Sequence, residues 1–126
     1  MTLQLGKVNT AVLSAEGRLL DGGAIGVTFV GTADSESRNE LDTFVAKVHE
    51  EAQRLKVPEV VVDFRELEFM NSSCFKIFVS WLAQLRDLGA DAQYRIQIRS
   101  NANLLWQRRS LAALSCFAID LVTIQT

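Results

Sequence analysis

The sequence predicts a single α/β domain, a mixed β-sheet with helices mainly on one face and elements in the order ββαβαβαβ. Three observations predict it. Val60, Val61 and Val62 run into Asp63 and Phe64 as a buried strand, which leads through a short connection to Asn71-Ser72-Ser73 at the head of a long apolar helix. Asp21-Gly22-Gly23 separates two strand-like stretches as a hairpin turn does. Beyond the hairpin, helical and strand-like segments alternate to the end of the chain, a pattern that favours right-handed crossovers and a largely parallel sheet.

Taken in order, residues 3–8 offer a short leading strand, and residues 12–20 and 24–30 form the hairpin arms. In the second arm Ile25, Val27 and Phe29 share one face, Gly26 and Thr28 the other. After Gly31-Thr32-Ala33-Asp34, the residues Leu41, Phe44, Val45, Val48, Ala52 and Leu55 recur at helical spacing, predicting a helix over 37–56 that Pro58 ends. A second helix is expected over 73–88, stopping at Gly89. Tyr94, Ile96 and Ile98 alternate with Arg95, Gln97 and Arg99, giving a strand with one wet face. A third helix over 103–114 follows the cap candidates Ser100 and Asn101, and a strand over 119–124 closes the chain. Clean alternation in two of the strands places the helices mainly on one side.

Composition narrows the function. A chain of 126 residues is one domain, residues 1–126, able to bury roughly two-thirds of its unfolded surface. A net charge of −2 supplies no field to recruit nucleic acid, and no apolar run approaches the roughly 20 residues of a membrane span, so neither partner is expected. The first residues lack the basic stretch and apolar core of a secretory signal. Cys74 and Cys116 are far apart and fit no metal or redox spacing, which points to a reducing cytoplasm. With no glycine-rich phosphate loop and no metal-ligand spacing, no cofactor is expected.

The junction at Asn71-Ser72-Ser73 is the informative site. Free backbone N–H groups and the positive end of a helix dipole converge where a strand hands over to a helix. A hydroxyl there is either a helix cap, worth about 1 kcal/mol, or a position where a phosphate is well received.

The segment VVVDFRELEFMNSSCFKIFVSWL resembles the signature of STAS domains, the fold of bacterial anti-sigma factor antagonists, and Gly31-Thr32-Ala33-Asp34 resembles that family's Gly-x-Leu-Asp element. The resemblance extends to the element order over nearly the whole chain, with the final helix of many members short or missing. It implies a non-enzymatic regulator that binds its partner reversibly, with Ser72 as the phosphorylated residue and Asn71, Ser73 and Asp34 around it. The implied partners are an anti-sigma factor or serine kinase and a phosphatase. Asn71 stands where the family carries Asp, Cys74 where Gly is common, and Lys76 where a small residue often follows.

Phe75 and Phe78, with Lys76 between them, are candidates for a docking patch beside Ser72; an exposed aromatic cluster there would point to a protein partner or a homodimer. The alternative is a scaffold or accessory subunit of a signalling or transport complex, in which Ser72 and Ser73 only cap the helix. A thiol or phosphoryl enzyme is the remote third choice. Cys74 sits in a first helical turn, yet the only histidine, His49, belongs to another helix, and Asp63 lacks the acidic cluster and lysine of a phosphoacceptor site. Arg95, Arg99, Arg108 and Arg109 are best explained as solvated charges.

Overall fold

Six strands pair in the order in which they occur in the chain, in a computed structural model that describes residues 3–126. β1 (Val8–Asn9), β2 (Leu13–Leu19) and β3 (Ile25–Ala33) are antiparallel neighbours; β4 (Glu59–Met70), β5 (Arg95–Arg99) and β6 (Val122–Gln125) then add in parallel. The three parallel steps are bridged by α1 (Arg38–Leu55), α2 (Ser72–Asp87) and α3 (Leu105–Cys116). Each crossover moves one strand further in the same direction, so a common right hand puts all three helices on the same face. The expected mixed sheet with one-sided helices is therefore the observed fold.

Alternation along the strands builds the core. Ile25, Val27 and Phe29 of β3, Val60, Val62 and Phe64 of β4, and Ile96 and Ile98 of β5 are all buried, together with Phe44 of α1, Phe78 and Leu82 of α2, and Leu114 of α3. The Phe29 ring meets Phe44, Phe64 and Phe78 at centroid distances of 5.8, 5.4 and 5.7 Å, edge-on or tilted. Such pairs add about 0.5–1.5 kcal/mol each beyond the area they bury.

Several boundaries differ from the sequence expectation, each for a physical reason. The leading strand is Val8–Asn9 rather than residues 3–8; Leu3 and Leu5 pack on the core by side chain alone. The second helix stops at Leu88, in extended conformation, and Gly89 instead opens a turn by accepting the Ala92 amide. Neither Ser100 nor Asn101 caps α3: the Ser100 hydroxyl donates to the Gln125 carbonyl, and the Asn101 side chain accepts from Asn103. The last strand starts at Val122, because Leu121 and Val122 both donate back to the Ala118 carbonyl.

The largest difference is β4, which runs to Met70 through the expected connection. Only residues 59–63 pair with β5, so the rest of that edge needs other partners. Gln107 of α3 supplies them, its Nε2 donating to the carbonyls of Phe64 (2.6 Å) and Leu67 (3.1 Å), while Asn101 Nδ2 donates to the Arg65 carbonyl (3.1 Å). On the other side β3 follows with two register shifts, the second between Gly31 and Thr32. Gly31 has φ +108°, and a Cβ there would collide with the Val12 carbonyl oxygen, which accepts the Thr32 amide at 2.8 Å. Only glycine fits.

Candidate functional site

β4 delivers the chain to the start of α2, and backbone geometry fixes how the two meet. Asn71 is still extended (φ −78°, ψ 171°) and donates its amide to the Ala33 carbonyl at 2.9 Å, which ties the junction to the end of β3. Its side-chain Oδ1 then accepts from the Cys74 amide at 2.9 Å and from the Ser73 hydroxyl at 3.0 Å. Asn71 is thus the N-cap, and the expectation that Ser72 or Ser73 caps the helix is corrected. An asparagine serves there as well as an aspartate or a serine, and one already pinned by its own amide has less freedom to lose.

Ser72, the first residue of α2, is left without that duty. Its side chain is exposed, and its hydroxyl has no partner among the described residues. The first intrahelical bond is from Phe75 to the Asn71 carbonyl, and the cap takes the Cys74 amide, so the amides of Ser72 and Ser73 have no acceptor among the described residues.

The β3–α1 connection forms the second wall. Asn71 Nδ2 lies 3.4 Å from Ser35 Oγ, and the Cys74 thiol donates to the Asp34 carbonyl at 3.4 Å. Asp34 Oδ1 accepts the Glu36 amide (3.1 Å), while its carbonyl also accepts the Ser37 amide (3.1 Å). Asp34, Asn71 and Ser73 therefore come together around the start of α2. The Asp34 carboxylate shapes its own turn; what touches Cys74 is its backbone.

Cys74 is fully buried, and burial is the main cause that pushes its thiol above the ordinary range; the Ser73 hydroxyl and Arg38 oppose this more weakly. A buried thiol with a raised pKa is a poor nucleophile. Lys76 is exposed one turn beyond Ser72. Phe75 is partly buried against the core.

Phe78 requires a correction. It is 2% exposed and packs at 5.3 Å from Phe64 and 6.3 Å from Trp81, so it belongs to the core and not to a docking patch. Its i+4 neighbour Leu82 and i−1 neighbour Ile77 are buried too, because α2 is covered by the sheet below and by α1 beside it. The exposed aromatic at the junction is instead Phe69, 49% exposed and two residues before Asn71. It pairs with Thr32, whose amide is bonded to the Val12 carbonyl, and Val12 and Val30 are themselves more than a third exposed. Phe69 was hidden in the sequence because residues 65–70 do not keep a two-residue period: the ladder skips Glu68 between Leu67 and Phe69.

The remaining candidates lie elsewhere. Asp63 accepts the Arg65 amide (3.0 Å) and a bidentate guanidinium from the same residue (3.0 and 2.8 Å), which holds its carboxyl below the usual range. Arg95 and Arg99 stand on the open face of the sheet, opposite Ile96 and Ile98, whereas Arg108 and Arg109 are on α3 across it; the four do not form one patch. Among the described residues no group of acidic, histidine and cysteine side chains could hold a metal ion, and no helix is long and apolar enough to cross a membrane.

No protein-family model matches the chain, and no curated protein does. Among the solved structures that resemble it are two that match most of its length. One is an anti-sigma factor antagonist from Mycobacterium paratuberculosis, with a TM-score of 0.62 and 18% identity over 82% of this chain and 80% of that one. The other is the anti-sigma factor antagonist SpoIIAA in its unphosphorylated form, with a TM-score of 0.61 and 17% identity over 89% of this chain and 88% of that one. At such identities the likeness is one of fold.

Proposed function

We propose that this chain, whose fold is STAS-like, is a non-enzymatic regulator whose binding to a protein partner is controlled by phosphorylation of Ser72. One observation carries the proposal: Ser72 has an exposed hydroxyl with no partner among the described residues at the first position of α2, while Asn71 performs the capping. Its hydroxyl is therefore available to a kinase at no cost to the helix.

Phosphorylation adds about −1.5 to −2 charge and three acceptor oxygens at pH 7. The amides of Ser72 and Ser73, which have no acceptor among the described residues, the dipole of α2 and Lys76 at i+4 are favourable neighbours for that charge. The fold should accept the modification, and a partner docked over the junction should not, because an anion enclosed in an interface loses its hydration. Phe69 and the half-buried Phe75, before and after Ser72 in the chain, offer that partner apolar contacts. The partners that fit are an anti-sigma factor or an ATP-using serine kinase, with a phosphatase to reset the switch in a reducing compartment such as the cytoplasm.

The test is twofold. Intact-mass measurement with site mapping on protein from its native cells should find phosphate on Ser72. A Ser72→Asp variant should keep the wild-type unfolding midpoint yet bind its captured partner at least tenfold more weakly. Wild-type affinity in that variant would remove the charge switch from consideration.

A further inference from the structure

Away from this junction, three buried polar side chains form a chain across the seam between α1 and α2. Trp81 Nε1 of α2 donates to the Tyr94 hydroxyl oxygen at 2.6 Å, and His49 Nδ1 of α1 lies 2.6 Å from the same oxygen. Trp81 is 4% exposed, Tyr94 2% and His49 9%.

Hydrogen-bond chemistry assigns the protons. An indole N–H can only donate, so the Tyr94 oxygen accepts from Trp81. Were His49 Nδ1 to donate as well, the single phenolic proton would be left with no acceptor among the described residues, a loss of about 1–3 kcal/mol. Tyr94 therefore donates to Nδ1, and His49 is a neutral imidazole carrying its proton on Nε2. A second proton on His49 would have to sit on Nδ1, directly against the Tyr94 O–H.

The surroundings do little to welcome that proton. From α1, Asp42 lines the same narrow cleft of about 30 Å³ as His49; from α2, Ser80, Trp81 and Gln84 line it, and none of these three is charged. From the β5 side comes Tyr94, its own pKa driven far above the usual phenol range by burial, and its neighbour Arg95 is exposed. Asp42 is the one carboxylate in the cleft, and burial still holds His49 below the ordinary histidine pKa.

We propose that His49 is an acid-sensitive latch, which in its neutral form fastens α1 to α2 through Tyr94 and Trp81 and on protonation loosens that seam. α1 starts beside Asp34 and Ser35, and α2 starts beside Asn71, so the latch and the junction are joined through the same two helices. The latch stands whether or not Ser72 is phosphorylated.

A single histidine makes the test clean. Between about pH 5 and pH 7 ordinary carboxylates are already ionised, so His49 dominates any change in stability there. Long-range proton–nitrogen NMR of the wild-type protein should show the Nε2–H tautomer at neutral pH and a titration midpoint below about 6.5. The Nδ1–H tautomer, or a midpoint at or above that value, overturns the proposal. The urea midpoint of the wild type should fall as pH drops through this window, and that of His49→Gln should stay level; an equal fall in both also overturns it. If His49→Gln does not fold, the wild-type NMR titration decides.

Discussion

Replacing Asn71 with alanine removes the acceptor of both the Cys74 amide and the Ser73 hydroxyl. Loss of such a cap costs about 1 kcal/mol. Ser72→Ala deletes an exposed hydroxyl with no partner among the described residues and should change stability by less than about 0.5 kcal/mol. Urea unfolding of the two variants side by side checks this, and equal losses would mean that Ser72 shares the cap. At Cys74, burial and a raised thiol pKa predict alkylation far slower than at exposed Cys116 until the chain is unfolded; mass mapping of labelled protein measures the ratio. These details were only partly legible in the sequence. Asn71, Ser72 and Ser73 are all competent caps, and local rules do not rank them. What ranks them is the bond from the Asn71 amide to Ala33, a contact between segments far apart in the chain.

Among the elements, β4 depends most on distant support. Gln107→Ala would leave the carbonyls of Phe64 and Leu67 without their side-chain donor, at about 1–3 kcal/mol for each buried acceptor left unpaired. Amide exchange in residues 67–70 should quicken more than in residues 60–63, which keep partners on both sides. Gly31→Ala should be at least as damaging, since the backbone is in a region that alanine avoids and the new methyl meets the Val12 carbonyl. A fall in thermal midpoint, with the circular-dichroism spectrum retained in whatever folds, is the expected result. The run of Val60 to Phe64 made the first half of β4 readable. The second half was not, because Arg65, Glu66 and Glu68 mimic a loop and the glutamine that secures it comes about forty residues later.

For the molecule as a whole, two titrating groups divide the pH range. Glu51, with its side chain 2% exposed, accepts a bidentate bond from Arg54 and the amide of Gln4 at 2.6 Å. The Arg54 hydrogen bond is the chief reason its carboxyl is lowered to about 2. A depressed carboxyl stabilises the folded state above the unfolded pKa of roughly 4.3, and that contribution is lost as pH falls through the folded value near 2. The segment anchored at Gln4 should thus stay attached through the milder acid range in which His49 takes up its proton. Glu51→Gln should speed amide exchange at Gln4 at neutral pH, and an unchanged rate would show that packing of Leu3 and Leu5 suffices. The global arrangement was the most legible level. Once three helices were seen to link successive strands, handedness left little choice about which side they occupy, whereas the two short end strands were poorly marked.

Strand order that copies chain order has a further consequence. In α/β sheets that grow outward in both directions from the middle, neighbouring connections diverge and open a crevice that takes small ligands. Here every parallel connection advances the same way, so the ends of β3 and β4 carry no such fork. A surface without a fork, carrying the exposed Ser72 and Phe69, suits contact with another macromolecule better than enclosure of a metabolite.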